Sequence, residues 1–272
     1  MSEVTHRLLV VGAHPDDPDL KAGGIAAKYA QAGHDVRFIS VTNGDAGHHE
    51  IGGVELTRRR RAEAQAAADV IGIEYDVWEI HDGELQPSLE NRRKMIRLIR
   101  NYDPDLILTH RPNDYHPDHR YVSTLVQDSA YLVTVPNICT GTPALCEDPV
   151  IAYLSDGFQK PYPFDPDVVV AIDDVIEEKT EMLHQHESQI YEWLPYNAGH
   201  LEEVPDEDDA RRKWLREERL DEYLDLADRF RDELVERYGE ERGSDIRYVE
   251  AFEGCEYGSP LTEEQATELV PK

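Results

Sequence analysis

Two short stretches of this 272-residue chain concentrate side chains capable of metal or acid–base chemistry. The first is Gly12-Ala13-His14-Pro15-Asp16-Asp17, and the second is Tyr115-His116-Pro117-Asp118-His119-Arg120. Together they offer three imidazoles and three carboxylates. His14 and Asp17 are three residues apart, as are His116 and His119, a spacing that turns two side chains toward one point where a loop enters a helix. Two imidazoles and one carboxylate suit a zinc ion that keeps a position open for water, the mark of a catalytic rather than a structural site. Such an ion lowers the pKa of its water to about 7 and polarises a carbonyl oxygen. A carboxylate alongside can accept the water's proton, and an imidazole can stabilise an oxyanion or protonate a leaving amine. Each stretch alone also has a plainer reading, since aspartate after a strand often caps the next helix and His-Pro makes turns.

The elements around them give the two stretches a reason to meet. Apolar runs at Arg7–Val11, Asp35–Val41, Tyr75–Ile80 and Asp105–Thr109 predict strands. Between them, about Ala22–Ala32, Leu56–Ile71 and Leu89–Arg100 have helical patterns, and His116–Tyr131 reads as a loop entering a helix. This alternation predicts an α/β fold, a Rossmann-like and mostly parallel sheet with helices on both faces. Both stretches then leave carboxyl ends of strands, where such sheets bind ligands. The second half is more irregular. Val135–Pro149 reads as a long loop, Val150–Leu154, Val168–Ile172 and Arg247–Phe252 as strands, and Asp173–Trp193 and Arg211–Tyr238 as helices, with Leu201–Ala210 an acidic solvated stretch. The expectation is one domain over 1–272, in which 1–134 is a Rossmann-like metal-binding half and 135–272 shapes the substrate site.

Composition excludes several functions. Fifty-seven acidic residues face 28 basic ones, for a net charge of −29. A surface of that sign repels nucleic acid and anionic membranes. Only 7 of the basic residues are Lys, a balance that suits a protein in concentrated salt as well as an acidic cytoplasmic one. Three cysteines without metal-type spacing make no disulfide framework, and no apolar stretch approaches a membrane span or a signal sequence. A soluble cytoplasmic protein is expected.

His14-Pro15-Asp16-Asp17 after an N-terminal strand, with His116-Pro117-Asp118-His119 later, resembles the zinc-dependent N-acetylglucosaminyl deacetylases of the LmbE-like (PIG-L) superfamily. The resemblance is good over about residues 7–125 and weaker over 173–255. It implies one zinc ion held by His14, Asp17 and His119, and Asp16 as general base. His116 would serve as oxyanion stabiliser or general acid, and Asp118 would orient an adjacent histidine. Arg60, in an Arg-x-x-Glu helix, and Asp82, in an Asp-Gly turn, would hold sugar hydroxyls. Thr42-Asn43-Gly44-Asp45 and His186-Glu187-Ser188-Gln189 also look like family segments, the latter with no role assigned. The substrate implied is a small N-acetylated amino sugar of GlcNAc type or its conjugate, and relatives are often homo-oligomers. Pro18 stands where the family usually has an acidic residue, a departure that bears on substrate class more than on metal binding.

Other readings stay open. An amidase acting on a larger N-acyl conjugate would use the same chemistry, and a non-catalytic metal or sugar binder would not need Asp16 or His116. A glycosyltransferase using Asp17-Pro18-Asp19 would leave His119 idle. His48-His49 reads as a solvated loop pair, because neighbouring side chains diverge, and Arg58–Arg61 as a solvated helix face. His184 and His186, two apart on a helix, do not share a face, and His110 is equally a pocket residue or a packed one.

Overall fold

The structure is a computed structural model and describes residues 5–272. Its first half runs β1 (Arg7–Gly12), α1 (Asp17–Gln31), β2 (Asp35–Thr42), α2 (Gly53–Ile71), β3 (Glu74–Ile80), α3 (Leu89–Tyr102), β4 (Leu106–Thr109) and α4 (Pro117–Ala130). The second half adds β5 (Val150–Leu154), β6 (Val168–Ala171), α5 (Ile176–Gln185), α6 (Leu194–Ala198) and α7 (Asp208–Trp214). It ends with α8 (Asp221–Arg229), α9 (Arg231–Tyr238), α10 (Glu240–Asp245), β7 (Val249–Gly254) and α11 (Glu263–Leu269).

Leu8–Val11 can be continuously apolar because β1 is covered on both faces. Leu8 and Val10 join one core with Ile25 of α1, Ala67 of α2 and Met182 of α5. Leu9 and Val11 join another with Ile96 of α3 and Val122 of α4. The sheet has seven strands in the order β3-β2-β1-β4-β5-β7-β6, with β1 to β5 parallel and β7 antiparallel to both its neighbours. The expected α/β class therefore holds. The chain winds outward from β1 to β3, then returns to add β4 on the other side of β1. Ligands gather at such a reversal of strand order, outside the carboxyl ends. Val11 lies level with Thr109 in the register, so the loops after β1 and β4 leave the sheet side by side.

Helix boundaries differ from the pattern-based expectation in informative ways. Helix α1 begins at Asp17, five residues before the expected Ala22, so Asp17 itself lies in its first turn. Pro18 fits there because the first-turn N–H groups need no intrahelical partner. The stretch expected to be one helix over Asp173–Trp193 is a 3-10 turn, then α5, then a π-helical segment over Ser188–Trp193. The expected single helix over Arg211–Tyr238 breaks at Leu220 and Phe230, both buried, and Phe230 packs 6.2 Å from the ring of Phe164. Charge patterning does not register such inward-turning residues.

A buried ion pair ties the second half to α1. The fully buried Lys179 on α5 and Glu250 on β7 meet at 2.5 Å, and the Glu250 carboxylate accepts the backbone N–H groups of Gly24 and Ile25. Lys179 also donates to the carbonyl of Leu20. Gly24 permits the approach, since a Cβ there would lie 2.6 Å from Cγ2 of Ile172. Removing one partner of a buried pair costs about 3–5 kcal/mol. Glu250→Ala should lose about that much in urea unfolding, and a loss below about 1 kcal/mol, the value of an exposed pair, would show the pair to be incidental.

Candidate metal centre

Both chemistry-bearing loops meet beyond the ends of β1 and β4. His14 Nδ1, Asp17 Oδ2 and His119 Nε2 form a nearly equilateral triangle, with sides of 3.4, 3.4 and 3.2 Å. Tetrahedral zinc with bonds of roughly 2.0–2.2 Å to nitrogen and oxygen needs ligand atoms about 3.3–3.5 Å apart, so the donor set fits. Backbone geometry holds each corner. Asp17 Oδ2 accepts the N–H groups of Ala13 and His14, at 3.0 and 2.8 Å. Burial works against charge on Asp17, yet His119, His110 and His14 hold its carboxyl well below the ordinary range.

The imidazoles are oriented from behind. His119 Nδ1 lies 3.0 Å from Asp114, so a proton there leaves Nε2 with its lone pair toward the triangle. His14 Nε2 lies 3.1 Å from Asp82 and 3.5 Å from Asp118, which frees Nδ1 in the same way. His110 stacks on His119 at 3.9 Å and accepts the Ala13 N–H through Nε2. Burial opposes charge on His14, but Asp118, Asp17 and Asp82 raise its pKa well above the usual value. The pocket therefore favours positive charge at this point, and two imidazole lone pairs facing a carboxylate make a bound cation the fitting source.

Asp16 precedes α1, but its side chain does not cap the helix. Instead Arg60 Nη2 donates to Asp16 Oδ1 at 3.0 Å, while Arg60 Nη1 donates to the carbonyl of Gly44. Gly44 has φ +66°, and a Cβ would collide with the Arg60 guanidinium at 2.3 Å, which explains the glycine of the Thr42–Asp45 turn. Burial pushes the Asp16 carboxyl above the ordinary range against the pull of Arg60. His116 caps α4, its Nδ1 accepting the N–H of Asp118, so the neutral ring carries its proton on Nε2. Burial and the charges of His14 and His119 depress its pKa, which keeps it a neutral N–H donor.

All the expected site residues lie in this region, and the structure places each among specific partners. Arg60, 2% exposed, faces Asp16 and Gly44. Asp82 faces His14. Asp118 accepts the Gly83 N–H and approaches His14 across the loops, while Asp114 faces the neighbouring His119. Sequence reading missed Asp114 as a participant, although it sits five residues before His119. It also missed His81, which with Asp82 N–H anchors on Asp45 at 2.5 and 3.1 Å and so fixes the Asp82-Gly83 turn. The unassigned His186–Gln189 segment closes the back of the centre. His186 is fully buried 3.0 Å from Asp19, Ser188 donates twice to Glu63, and Gln189 donates to the carbonyl of Gly47.

The region defines an α/β protein with a polar, cation-seeking centre at its topological switch point. The PIG-L family model, described as GlcNAc-PI de-N-acetylase, matches residues 9–130. Diacetylchitobiose deacetylase of Thermococcus kodakarensis is 30% identical over 201 residues, covering 70% of this chain and 74% of its own. A 4-oxalmesaconate hydratase of Pseudomonas putida is 26% identical over 153 residues, covering 53% of this chain and 59% of its own. The solved N,N'-diacetylchitobiose deacetylase of Pyrococcus horikoshii shares the fold at TM-score 0.70 and 24% identity, over 92% of this chain and 84% of that one. The chain belongs to the PIG-L family.

The geometry makes a graded prediction for metal binding. Asp114→Ala frees the His119 ring and should weaken zinc binding about 10–100-fold, the usual effect of losing a partner behind a ligand. Asp17→Ala should weaken it further. Competition with a chromogenic chelator measures both, and wild-type affinity in Asp114→Ala would contradict the orientation derived for His119.

Proposed function

We propose that the protein is a zinc-dependent hydrolase that removes the acetyl group from an N-acetylated amino sugar of GlcNAc type, or from its conjugate. The observation that carries this reading is the triangle of His14, Asp17 and His119 beside a carboxylate, Asp16, that caps no helix and is held by a buried arginine. The deacetylase relative in Thermococcus supports the reaction class. Residues 1–134 would supply the centre, and 135–272 the substrate surroundings.

Zinc bound by the triangle would supply an acidified water and a Lewis acid for the acetyl carbonyl. Asp16 takes a proton from the attacking water, and its raised pKa makes it a better acceptor than an exposed aspartate. Arg60 holds the carboxylate in place. The Nε2–H of His116 donates to the carbonyl oxygen as negative charge develops there. The proton gained by Asp16 passes to the departing nitrogen as the C–N bond breaks, leaving acetate and the free amine.

The hydratase relative favours one second reading, in which the same water-activating groups catalyse a hydration. An amidase acting on a larger N-acyl group is a neighbouring form of the first. A panel of N-acetylated sugars and conjugates assayed for both acetate and new amine separates them, because hydration releases neither. With an active substrate in hand, Asp16→Asn should keep about one zinc per chain, as the intact three-ligand site requires, and lose about 10²–10⁴-fold in kcat. Wild-type turnover by that variant would remove Asp16 from the mechanism.

A further inference from the structure

Arg111 is a buried cation that the chemistry above leaves unused. It stands just past the end of β4, next to His110, and is 1% exposed. Its guanidinium meets two carboxylates, Asp156 at 2.9 Å and Glu253 at 3.1 Å. Nη2 also donates to the carbonyl of Tyr162 at 3.1 Å, and the Tyr162 ring centre lies 4.9 Å from the charge. Asp156 and Tyr162 both belong to the loop 155–167 between β5 and β6. Asp156 closes the first turn of that loop by accepting the Phe158 N–H at 2.8 Å. A lysine would match the charge but not the fork, which reaches a carboxylate and a carbonyl at once.

Strand β5 runs parallel to β4, and Tyr153 lies level with Thr109, so the loops after both strands leave one edge of the sheet. Within the segment from His110 to His116, alternate residues serve the centre and the β5–β6 loop. Asp114 lies 3.0 Å from His119 Nδ1, and its carboxylate accepts the His116 N–H at 3.0 Å. Arg111 holds the loop as above, and Asn113 Nδ2 donates to the carbonyl of Lys160 at 2.9 Å. Pro112, between these two tethers, has a fixed φ and gives the segment little slack. The charges also interact. Burial pushes the Asp156 carboxyl up, the Phe158 N–H and Arg111 draw it down, and Asp114 adds to the rise.

We infer that Arg111 is a positioning residue. By fastening the β5–β6 loop to the segment after β4, it fixes Asp114 and His116, and through them the His119 ring and the proposed oxyanion donor. This rests on the reading of the centre given above. It makes the loop a brace for the chemistry, supplied by a part of the chain that the family model does not reach.

The test uses two variants. Arg111→Lys keeps the charge and loses the fork, while Asn113→Ala cuts the second tether and leaves the buried ion pairs in place. Chymotrypsin cleavage after Phe158, which is 38% exposed, reads the loop without metal or substrate. Arg111→Lys should be cut there about tenfold faster than wild type, because cleavage follows the open population. Its zinc affinity should fall about three- to tenfold, less than expected for Asp114→Ala. Its kcat should fall about 10–100-fold with little change in KM, as displaced reacting groups require. Asn113→Ala should move each quantity the same way by a smaller factor. Cleavage at the wild-type rate overturns the inference. So does a lowered Tm in Arg111→Lys with zinc affinity and kcat at wild-type values, the mark of a residue that only stabilises the fold. Should Arg111→Lys not fold, Asn113→Ala decides by the same criteria. If wild type releases acetate from no N-acetylated sugar, the deacetylase reading fails, and cleavage and zinc affinity still decide the role of Arg111.

Discussion

Two imidazole nitrogens and a carboxylate oxygen stand within 3.2–3.4 Å of one another in a largely buried spot, an arrangement that needs positive charge between them, from a proton on His14 or from a bound cation. The rest of the structure can be derived from that constraint. Strand order sets the position, because winding outward from β1 and returning at β4 leaves two loops side by side at one edge. Backbone donors fix the carboxylate, through the N–H groups of Ala13 and His14. Asp114 and Asp82 stand on the far sides of the two imidazoles, so the ring lone pairs turn inward. The surplus of carboxylates over fixed cations makes the pocket a poor site for a neutral metal-free core and a good one for a divalent ion.

The second half of the chain works as a set of clamps. Lys179 and Glu250 grip the middle of α1, His186 meets Asp19 in its first turn, and Ser188 and Glu192 hold Glu63 and Arg59 of α2. These two helices carry Asp17 and Arg60, so the clamps determine where the proposed metal ligand and the partner of Asp16 stand. On a chain with so few basic residues, Lys179 and Arg60 are committed to buried carboxylates while acidic residues dominate the surface.

The fold of the first half, and the meeting of its two His/Asp loops, were legible because local signals agree with global ones. Apolar runs such as Leu8–Val11 are strands covered on both faces, and His/Asp pairs three apart converge at a helix start. The rest depends on tertiary partners. Whether Asp16 caps α1 or pairs with a buried cation is decided by Arg60, 44 residues away. Asp114 looks like any loop aspartate until His119 is folded against it. The long charged segment Arg211–Tyr238 has helical periodicity throughout, and only the packing of Leu220 and Phe230 interrupts it. His48-His49 reads as solvated because the ring that orders it, Tyr196, is far along the chain.

The structure also contains a rival position for a cation. His14 has a second nitrogen, and Nε2 faces Asp82, His116 and Asp118, which are near enough together to hold an ion themselves. Occupation of that side would engage His116, the proposed oxyanion donor, and leave Asp17 and His119 without a metal. Anomalous diffraction at the zinc edge from crystals of the zinc-loaded protein distinguishes the two most directly. The account predicts a single peak at about 2.0–2.2 Å from His14 Nδ1, Asp17 and His119 Nε2. A peak on the Nε2 side of His14, bonded to Asp82 or Asp118, would contradict it.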